Sequence, residues 1–94
     1  MIYNFLDAST GYITEKDNEI LLSGKFESEL VVISHKYGFW VSVPEIGFNV
    51  ICKKNNLSIK MIELLKYAQS KDCVWINLDC DGDTDISELV FEQW

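Results

Sequence analysis

Carboxylates at alternating positions near the end of the chain are the residues best placed to do chemistry. Four aspartates are each separated by one residue and a glutamate follows, at Asp79, Asp81, Asp83, Asp85 and Glu88. Carboxylate oxygens are ligands that calcium prefers. In an extended segment they also resemble the repeated charges of a phosphate backbone. A solvated loop and tail is the third interpretation, because most runs of charge are solvated.

An EF-hand calcium loop fits this segment only in part. A loop that starts at Asp79 places Thr84 where glycine is needed and Val90 where the bidentate glutamate belongs. A loop that starts at Asn77 corrects both positions but has an amide as its first ligand. An EF-hand also requires a helix before the loop, whereas the preceding residues have strand character. We therefore assign no metal ligands, and a calcium-binding accessory module over residues 77–88 remains an alternative.

The net charge of −7 on 94 residues is confined to one part of the chain. Residues 1–71 contain eight acidic residues and all eight lysines, so the entire excess lies in residues 72–94. The chain has no arginine, the side chain that favours bidentate contacts with phosphate and guanine. A direct reader of DNA or RNA is therefore disfavoured, and a protein partner with a basic surface is expected.

No arrangement of nucleophiles and bases indicates an enzyme. His35 is the single histidine and falls in a segment typical of a turn. Cys52, Cys73 and Cys80 have no CxxC spacing, and with His35 they match no known zinc pattern. The chain also lacks a G-x-S-x-G motif and a phosphate-binding glycine loop. The sequence therefore predicts no catalytic residues and no cofactor.

The first residues, the apolar runs and the number of cysteines predict the cellular compartment. The first residues lack the basic and apolar regions of a signal peptide, and no apolar run approaches the ~20 residues that span a bilayer. An odd number of cysteines favours reduced thiols. These features predict a cytoplasmic protein without a membrane partner.

Hydrophobic patterning in the first quarter predicts a strand and a short helix. The apolar and aromatic segment Ile2–Leu6 is typical of a strand, and residues 7–11 are typical of a turn. Thr14 is a predicted helix N-cap, with Asp17 completing an imperfect capping box. Gly24 is expected to end this helix.

Residues 30–52 predict a three-stranded antiparallel meander, because apolar positions alternate between turn segments. Its second strand has Trp40 on the face opposite Phe39 and Val41, so the exposed sheet face would carry Trp40 together with Trp75. The three predicted strands are 30–34, 39–43 and 48–52.

The last third of the chain predicts a second helix and a last strand. The N-cap of this helix is Ser58, its apolar stripe lies at Met61, Leu64, Leu65 and Ala68, and it ends near residues 71–72. The β-branched and aromatic segment Cys73–Leu78 predicts the strand. The expected fold is one α+β domain over residues 1–94, in the order β-α-β-β-β-α-β. Its four- or five-stranded sheet would be mostly antiparallel, with two helices on one face.

Several short stretches carry a resemblance to a known family. They are Asp7–Thr14, Tyr37–Pro44, Tyr67-Ala68 and Cys73–Gly82, together with the aromatic Trp94. They resemble a family of short, uncharacterised bacterial proteins, many encoded by plasmids and phages and grouped as a domain of unknown function. The resemblance implies a compact α+β fold and a mobile-element setting, and it implies no reaction.

These observations favour a small, acidic, non-enzymatic binding protein of a mobile element. It would inhibit a nucleic-acid-handling defence protein, as an anti-CRISPR or anti-restriction factor, through an acidic surface that mimics nucleic acid. A toxin-neutralising immunity protein that uses the same surface is an alternative. The expected partner-binding residues are the carboxylates Asp79, Asp81, Asp83, Asp85 and Glu88, with Trp75 and Trp94 as aromatic anchors.

Overall fold

A computed structural model describes residues 2–24, 30–92 and 94 of the chain. The first half contains strand β1 (Asn4–Ser9), a 3₁₀ turn (Thr10–Tyr12), helix α1 (Glu15–Ser23) and strands β2 (Val32–His35) and β3 (Gly38–Ser42). The second half contains helices α2 (Phe48–Lys54) and α3 (Ile59–Ser70) and strand β4 (Cys73–Asp79). None of the helices in the described residues is long and apolar enough to cross a membrane.

The four strands form one mixed sheet in the order β1-β4-β3-β2. β1 pairs with β4 in parallel, with Phe5 opposite Trp75 and Asp7 opposite Asn77. β3 pairs antiparallel with both β4 and β2, so the last strand lies at the centre of the sheet. The fold is therefore α+β as predicted, but the sheet is mixed.

The predicted capping signals are confirmed in both longer helices. Thr14 and Asp17 form a reciprocal capping box at the start of α1, and Gly24 ends that helix with a left-handed φ of 68°. Ser58 caps α3 by accepting a hydrogen bond from the backbone N–H of Met61. These side chains satisfy backbone N–H groups that have no partner within the helix.

The core lies between one face of the sheet and the helices. The predicted stripe of α3 is fully buried, at Met61, Leu64, Leu65 and Ala68. It packs with Phe39 and Val41 of β3 and with Ile76 and Leu78 of β4 in a single cluster. Alternation along the strands therefore directs one set of side chains into this core and the other onto the opposite sheet face.

The predicted third strand of the meander is wrong, because residues 48–54 form helix α2. Phe48, Ile51 and Cys52 have the helical i, i+3, i+4 spacing, and the last two are buried. Val50, which alternation places on one face with Phe48 and Cys52, is 57% exposed. The described chain thus has three α-helices and four strands, in the order β-α-β-β-α-α-β.

The first strand is also displaced from its predicted position. It runs over Asn4–Ser9 rather than Ile2–Leu6, and most of the expected turn at residues 7–11 is strand. Pairing with β4 extends it, since Ala8 lies opposite Leu78 at the buried end of the ladder. Within the predicted acidic segment 72–94, Gln93 lies outside the described residues.

Candidate functional site

The acidic loop, defined as residues 79–88, is attached to the end of β1. The backbone N–H of Ser9 donates to the carbonyl oxygen of Asp83 at 3.0 Å. Gly82 approaches the backbone of Ala8 so closely that a Cβ there would lie 2.5 Å from the Ala8 carbonyl group. Only glycine permits this approach without displacement of the loop. The loop is thus held against the protein body at its centre.

Further hydrogen bonds fix both ends of the acidic loop. At its start, the Cys80 N–H donates to the Tyr37 carbonyl oxygen at 3.0 Å, which connects the loop to the β2–β3 turn. At its far end, the Ile86 N–H donates to the hydroxyl oxygen of buried Tyr12 at 2.8 Å. The side chain of Ile86 is itself buried in the core.

The residues after the acidic loop fold back over the 3₁₀ turn. The Phe91 ring contacts the Tyr12 ring edge-to-face, with centroids 5.5 Å apart. The indole N–H of Trp94 donates to the Ile13 carbonyl oxygen at 3.0 Å. In the described residues, the C-terminal segment is therefore packed on the body and does not extend into solvent.

Replacing Tyr12 with phenylalanine tests this attachment. Tyr12→Phe removes the acceptor of the buried Ile86 N–H, and we expect the free energy of unfolding to fall by about 1–2 kcal/mol. Faster hydrogen exchange of the Ile86 amide, measured by NMR, should accompany the loss. Tyr37→Phe, at a half-exposed ring, is the matched control. An unchanged Ile86 exchange rate in Tyr12→Phe would contradict the assigned role of the hydroxyl group.

Two carboxylates of the acidic loop accept hydrogen bonds from the loop's own backbone. Asp79 Oδ1 accepts from the Asp81 N–H at 2.8 Å, and Asp83 Oδ1 accepts from the Asp85 N–H at 2.9 Å. Ligand atoms of Asp79, Cys80 and Asp81 lie within 4.8 Å of one another. Strand β4, and not a helix, leads into the acidic loop. No helix follows the loop in the described residues. An EF-hand arrangement is therefore not formed.

Ionisation of the side chains supports an anionic Glu88 and unreactive thiols at Cys52, which is buried, and Cys73, which is half-buried. The Ser87 hydroxyl group donates to Glu88 at 2.6 Å and lowers the pKa of that carboxyl group, so Glu88 is anionic at neutral pH. Burial, with a smaller contribution from the charge of Asp17, raises the pKa of Cys52 to about 11. Burial likewise raises the pKa of Cys73. Neither thiol is activated as a nucleophile, since the thiolate is the reactive form.

The outer sheet face, on the side of the sheet opposite the core, carries an aromatic patch. Its residues line a depression of about 260 Å³ and are Tyr3, Asn4, Phe5, Ile33, Trp40 and Trp75. Phe5 packs edge-to-face on Trp40 with centroids 5.2 Å apart, although Phe5 is 56% exposed. The prediction that Trp40 and Trp75 lie on the exposed face is confirmed. Exposed apolar side chains that adjoin one another make this patch a candidate interaction surface.

A polar row borders the aromatic patch. Asn77 accepts a hydrogen bond from His35 Nε2 at 2.8 Å and donates to Asp7 at 3.3 Å. The Tyr37 N–H donates to His35 Nδ1 at 3.2 Å, so the proton of a neutral ring belongs on Nε2. Three side chains from three strands are thereby held in one orientation on the outer sheet face.

Strand β4 joins the aromatic patch to the acidic loop. Trp75, Asn77 and Asp79 alternate along it and therefore face the same side of the sheet. Asp79 lies opposite Gly38, next to the position of His35 in the sheet. The outer sheet face thus changes from aromatic to polar to acidic along the direction of β4.

The structure places two of the expected partner-binding residues, Trp75 and Asp79, on one face of β4, and the others in the acidic loop and the C-terminal segment. Trp75 lies in the aromatic patch, Asp79 lies at the edge of the same face, and the remaining acids are exposed in the loop that continues from it. Trp94 donates to the Ile13 carbonyl oxygen and lines a depression of about 340 Å³ with Cys80 and Thr84 of the acidic loop, whereas Trp75 lines the aromatic patch. Sequence reasoning missed Phe5 and Ile33, although their alternation with inward residues was a signal for them.

Fold and site together define a small α+β domain with an open, aromatic and acidic sheet face. Over residues 5–93 the chain matches a family described as "Family of unknown function (DUF5983) C-terminal domain". The chain belongs to this family. No curated protein and no solved structure matches it.

Proposed function

We propose that this protein is a non-enzymatic binding protein that contacts a basic partner protein through the outer sheet face and the acidic loop. The observation that carries the proposal is the alignment of Trp75, Asn77 and Asp79 on one face of β4. The alignment supports the proposal because half-buried Trp75 shares a sheet face with the carboxylates of Asp79 and Asp7. Aromatic residues at the centre of an interface commonly supply most of the binding energy.

Attachment of the acidic loop favours this function. Because the loop is held at Asp83, Ile86 and Cys80, a partner would not have to order it on binding. Preorganisation of this kind lowers the entropic cost of association. The carboxylates would also steer a basic partner into contact, which makes the association rate sensitive to salt.

The proposed partner is a protein that handles nucleic acid, such as a restriction or CRISPR effector of a defence system. Its basic groove would accept carboxylates in place of phosphates, and inhibition would follow from competition with DNA or RNA. Direct binding of nucleic acid to the aromatic patch is disfavoured, because Asp7 and Asp79 would repel the phosphates. A toxin-neutralising immunity protein would use the same surface on a different basic target.

The test begins with a partner isolated on the immobilised protein at low salt and then purified. We expect its dissociation constant to rise at least about tenfold between about 50 and 300 mM salt. DNA or RNA should compete for the same site. Two variants, Asp79→Asn/Asp81→Asn/Asp83→Asn/Asp85→Asn and Trp75→Ala, should each weaken binding about tenfold or more. Asparagine retains the oxygen that accepts the backbone N–H within the loop.

A matched control removes four negative charges elsewhere. The variant Glu15→Gln/Glu19→Gln/Glu45→Gln/Asp72→Asn changes exposed residues only and should bind within about twofold of wild type. If the control variant weakens binding as much as the loop variant does, the loss of affinity depends on total charge and not on the acidic loop. An affinity that ignores both salt and the four loop substitutions would exclude nucleic-acid mimicry. Binding of free single-stranded RNA to the wild type would instead assign the aromatic patch to base stacking.

A further inference from the structure

A second surface, independent of the proposed function, lies between helices α2 and α3. It is a groove of about 430 Å³, lined by Asn49, Val50, Lys53, Ile59, Ile62, Glu63 and Lys66. These residues occupy one face of each helix, since they recur at helical spacing within α2 and within α3. We call this surface the helical groove.

The floor of the helical groove is apolar and open to solvent. Ile59 is 69% exposed and Val50 is 57% exposed, although both belong to helices whose other face is packed in the core. Ile59, Ile62 and Lys66 form a second stripe along α3, separate from its buried stripe. Lysine side chains contribute apolar stems to such a floor while their ammonium groups stay in water.

The charge around the helical groove is opposite to that of the whole chain. The charged residues that line the groove are Lys53, Lys66 and Glu63, a net charge of +1, whereas the whole protein carries −7. Lys53 on α2 and Lys66 on α3 are placed on the two helices that form the groove. An occupant with an apolar face and carboxylates on both flanks would complement this arrangement.

We propose that the helical groove binds an acidic amphipathic helix of a partner protein. A helix that lays an apolar face into a groove between two helices is a recurrent mode of peptide recognition. The lining residues of α3 run from Ile59 to Lys66 and provide a wall of about 11 Å, or roughly two turns of a bound helix. Carboxylates on the bound helix would lie near Lys53 and Lys66.

Other occupants fit the helical groove less well. Two copies of this chain packed groove against groove would each present a lining of net positive charge to the other. An anionic membrane would attract the groove but repel the rest of a protein with seven excess negative charges. Nucleic acid would find aliphatic side chains on the floor and no aromatic ring to stack on.

The test is a titration of the full-length protein with a fluorescein-labelled probe peptide. The probe has about 16 residues, with leucines at i, i+3, i+4 and i+7 and glutamates on the other positions. Its controls are a scrambled peptide of the same composition and a peptide with lysine in place of glutamate. We expect saturable binding of the probe, with affinity at least about tenfold weaker for either control.

Two variants and a matched control locate the binding site. Lys53→Glu/Lys66→Glu should lower the affinity about tenfold or more, and so should Val50→Ser/Ile59→Ser, at exposed positions where folding is not at risk. Lys16→Glu/Lys36→Glu makes the same change of charge outside the groove and should bind within about twofold of wild type.

Several results would overturn the proposal. They are equal binding of the scrambled peptide, equal weakening by the Lys16 and Lys36 control, or an unchanged affinity in Val50→Ser/Ile59→Ser. Concentration-dependent self-association that Lys53→Glu/Lys66→Glu abolishes would assign the groove to a second copy of the chain. Loss of binding by the four loop aspartate substitutions, with the helical groove intact, would assign the peptide to the outer sheet face.

Discussion

Asp17→Asn is expected to lower the free energy of unfolding by about 2–4 kcal/mol. The carboxylate is 1% exposed and lies between the first turns of α1 and α3. Asp17 Oδ2 accepts from the Thr14 N–H at 3.0 Å, and Oδ1 accepts from the Ser58 N–H at 2.8 Å. Both bonds are charge-assisted, and both helix N-termini favour a negative charge at this position.

An asparagine cannot replace this carboxylate, because one of its two terminal atoms is a donor. Whichever way the amide is turned, its NH₂ group faces the N–H of either Thr14 or Ser58. A buried donor would then have no acceptor. Thermal and urea unfolding measure the loss. Glu15→Gln, an exposed acid in the same turn, is the control and should change stability by no more than about 0.5 kcal/mol. If the free energy of unfolding of Asp17→Asn lies within about 0.5 kcal/mol of wild type, the two hydrogen bonds by which Asp17 joins α1 to α3 contribute little to stability.

Gly38→Ala is expected to lower the free energy of unfolding by about 3 kcal/mol or more. A Cβ at residue 38 would lie 1.8 Å from the Leu78 carbonyl oxygen. The obstacle is backbone at the centre of the sheet, so it cannot rotate away as a side chain could. Relief requires β3 to separate from β4 at the Gly38–Asp79 pair, which also displaces the start of the acidic loop.

Gly24→Ala provides the comparison for this second prediction. Gly24 has a φ of 68°, and no atom of the described residues lies within 4 Å of the position of a Cβ, so alanine there costs only backbone strain, about 1 kcal/mol. Equal losses in the two variants would indicate that close approach of β4 is not what requires glycine at residue 38. The chemical shifts of Asp79 and Cys80, measured by NMR, should change in Gly38→Ala and not in Gly24→Ala.

Asp17 shows which contacts of a residue can be predicted from its neighbours in the sequence. The spacing of Thr14 and Asp17 predicted a capping box, and that part is confirmed. The third partner, Ser58, is 41 residues further along the chain and was predicted only as the cap of another helix. A pattern within one turn specifies the local bond, whereas the bridge depends on how two helices pack.

Residues 48–52 illustrate a second limit. Their apolar positions at 48, 50 and 52 alternate, and those at 48, 51 and 52 have helical spacing, so the pattern satisfies both periods. Burial favours the helix, because adjacent residues of a strand point to opposite faces, whereas a helix lets Ile51 and Cys52 both reach the core. The helical groove is a consequence of this choice, since a strand at this position would form no wall against α3.

The amino-acid sequence was sufficient to place the negative charge in residues 72–94, the caps of α1 and α3, the buried stripe of α3 and the last strand. Each of these depends on interactions within a few residues or on the count of charged side chains. Parallel pairing of β1 with β4 depends on contacts about 70 residues apart, and it aligns Phe5 with Trp75 and Asp7 with Asn77. Attachment of the acidic loop depends on Tyr12, 74 residues before Ile86. Such contacts are selected by burial and strand register across the whole molecule, and they turn an acidic segment into one edge of an ordered surface.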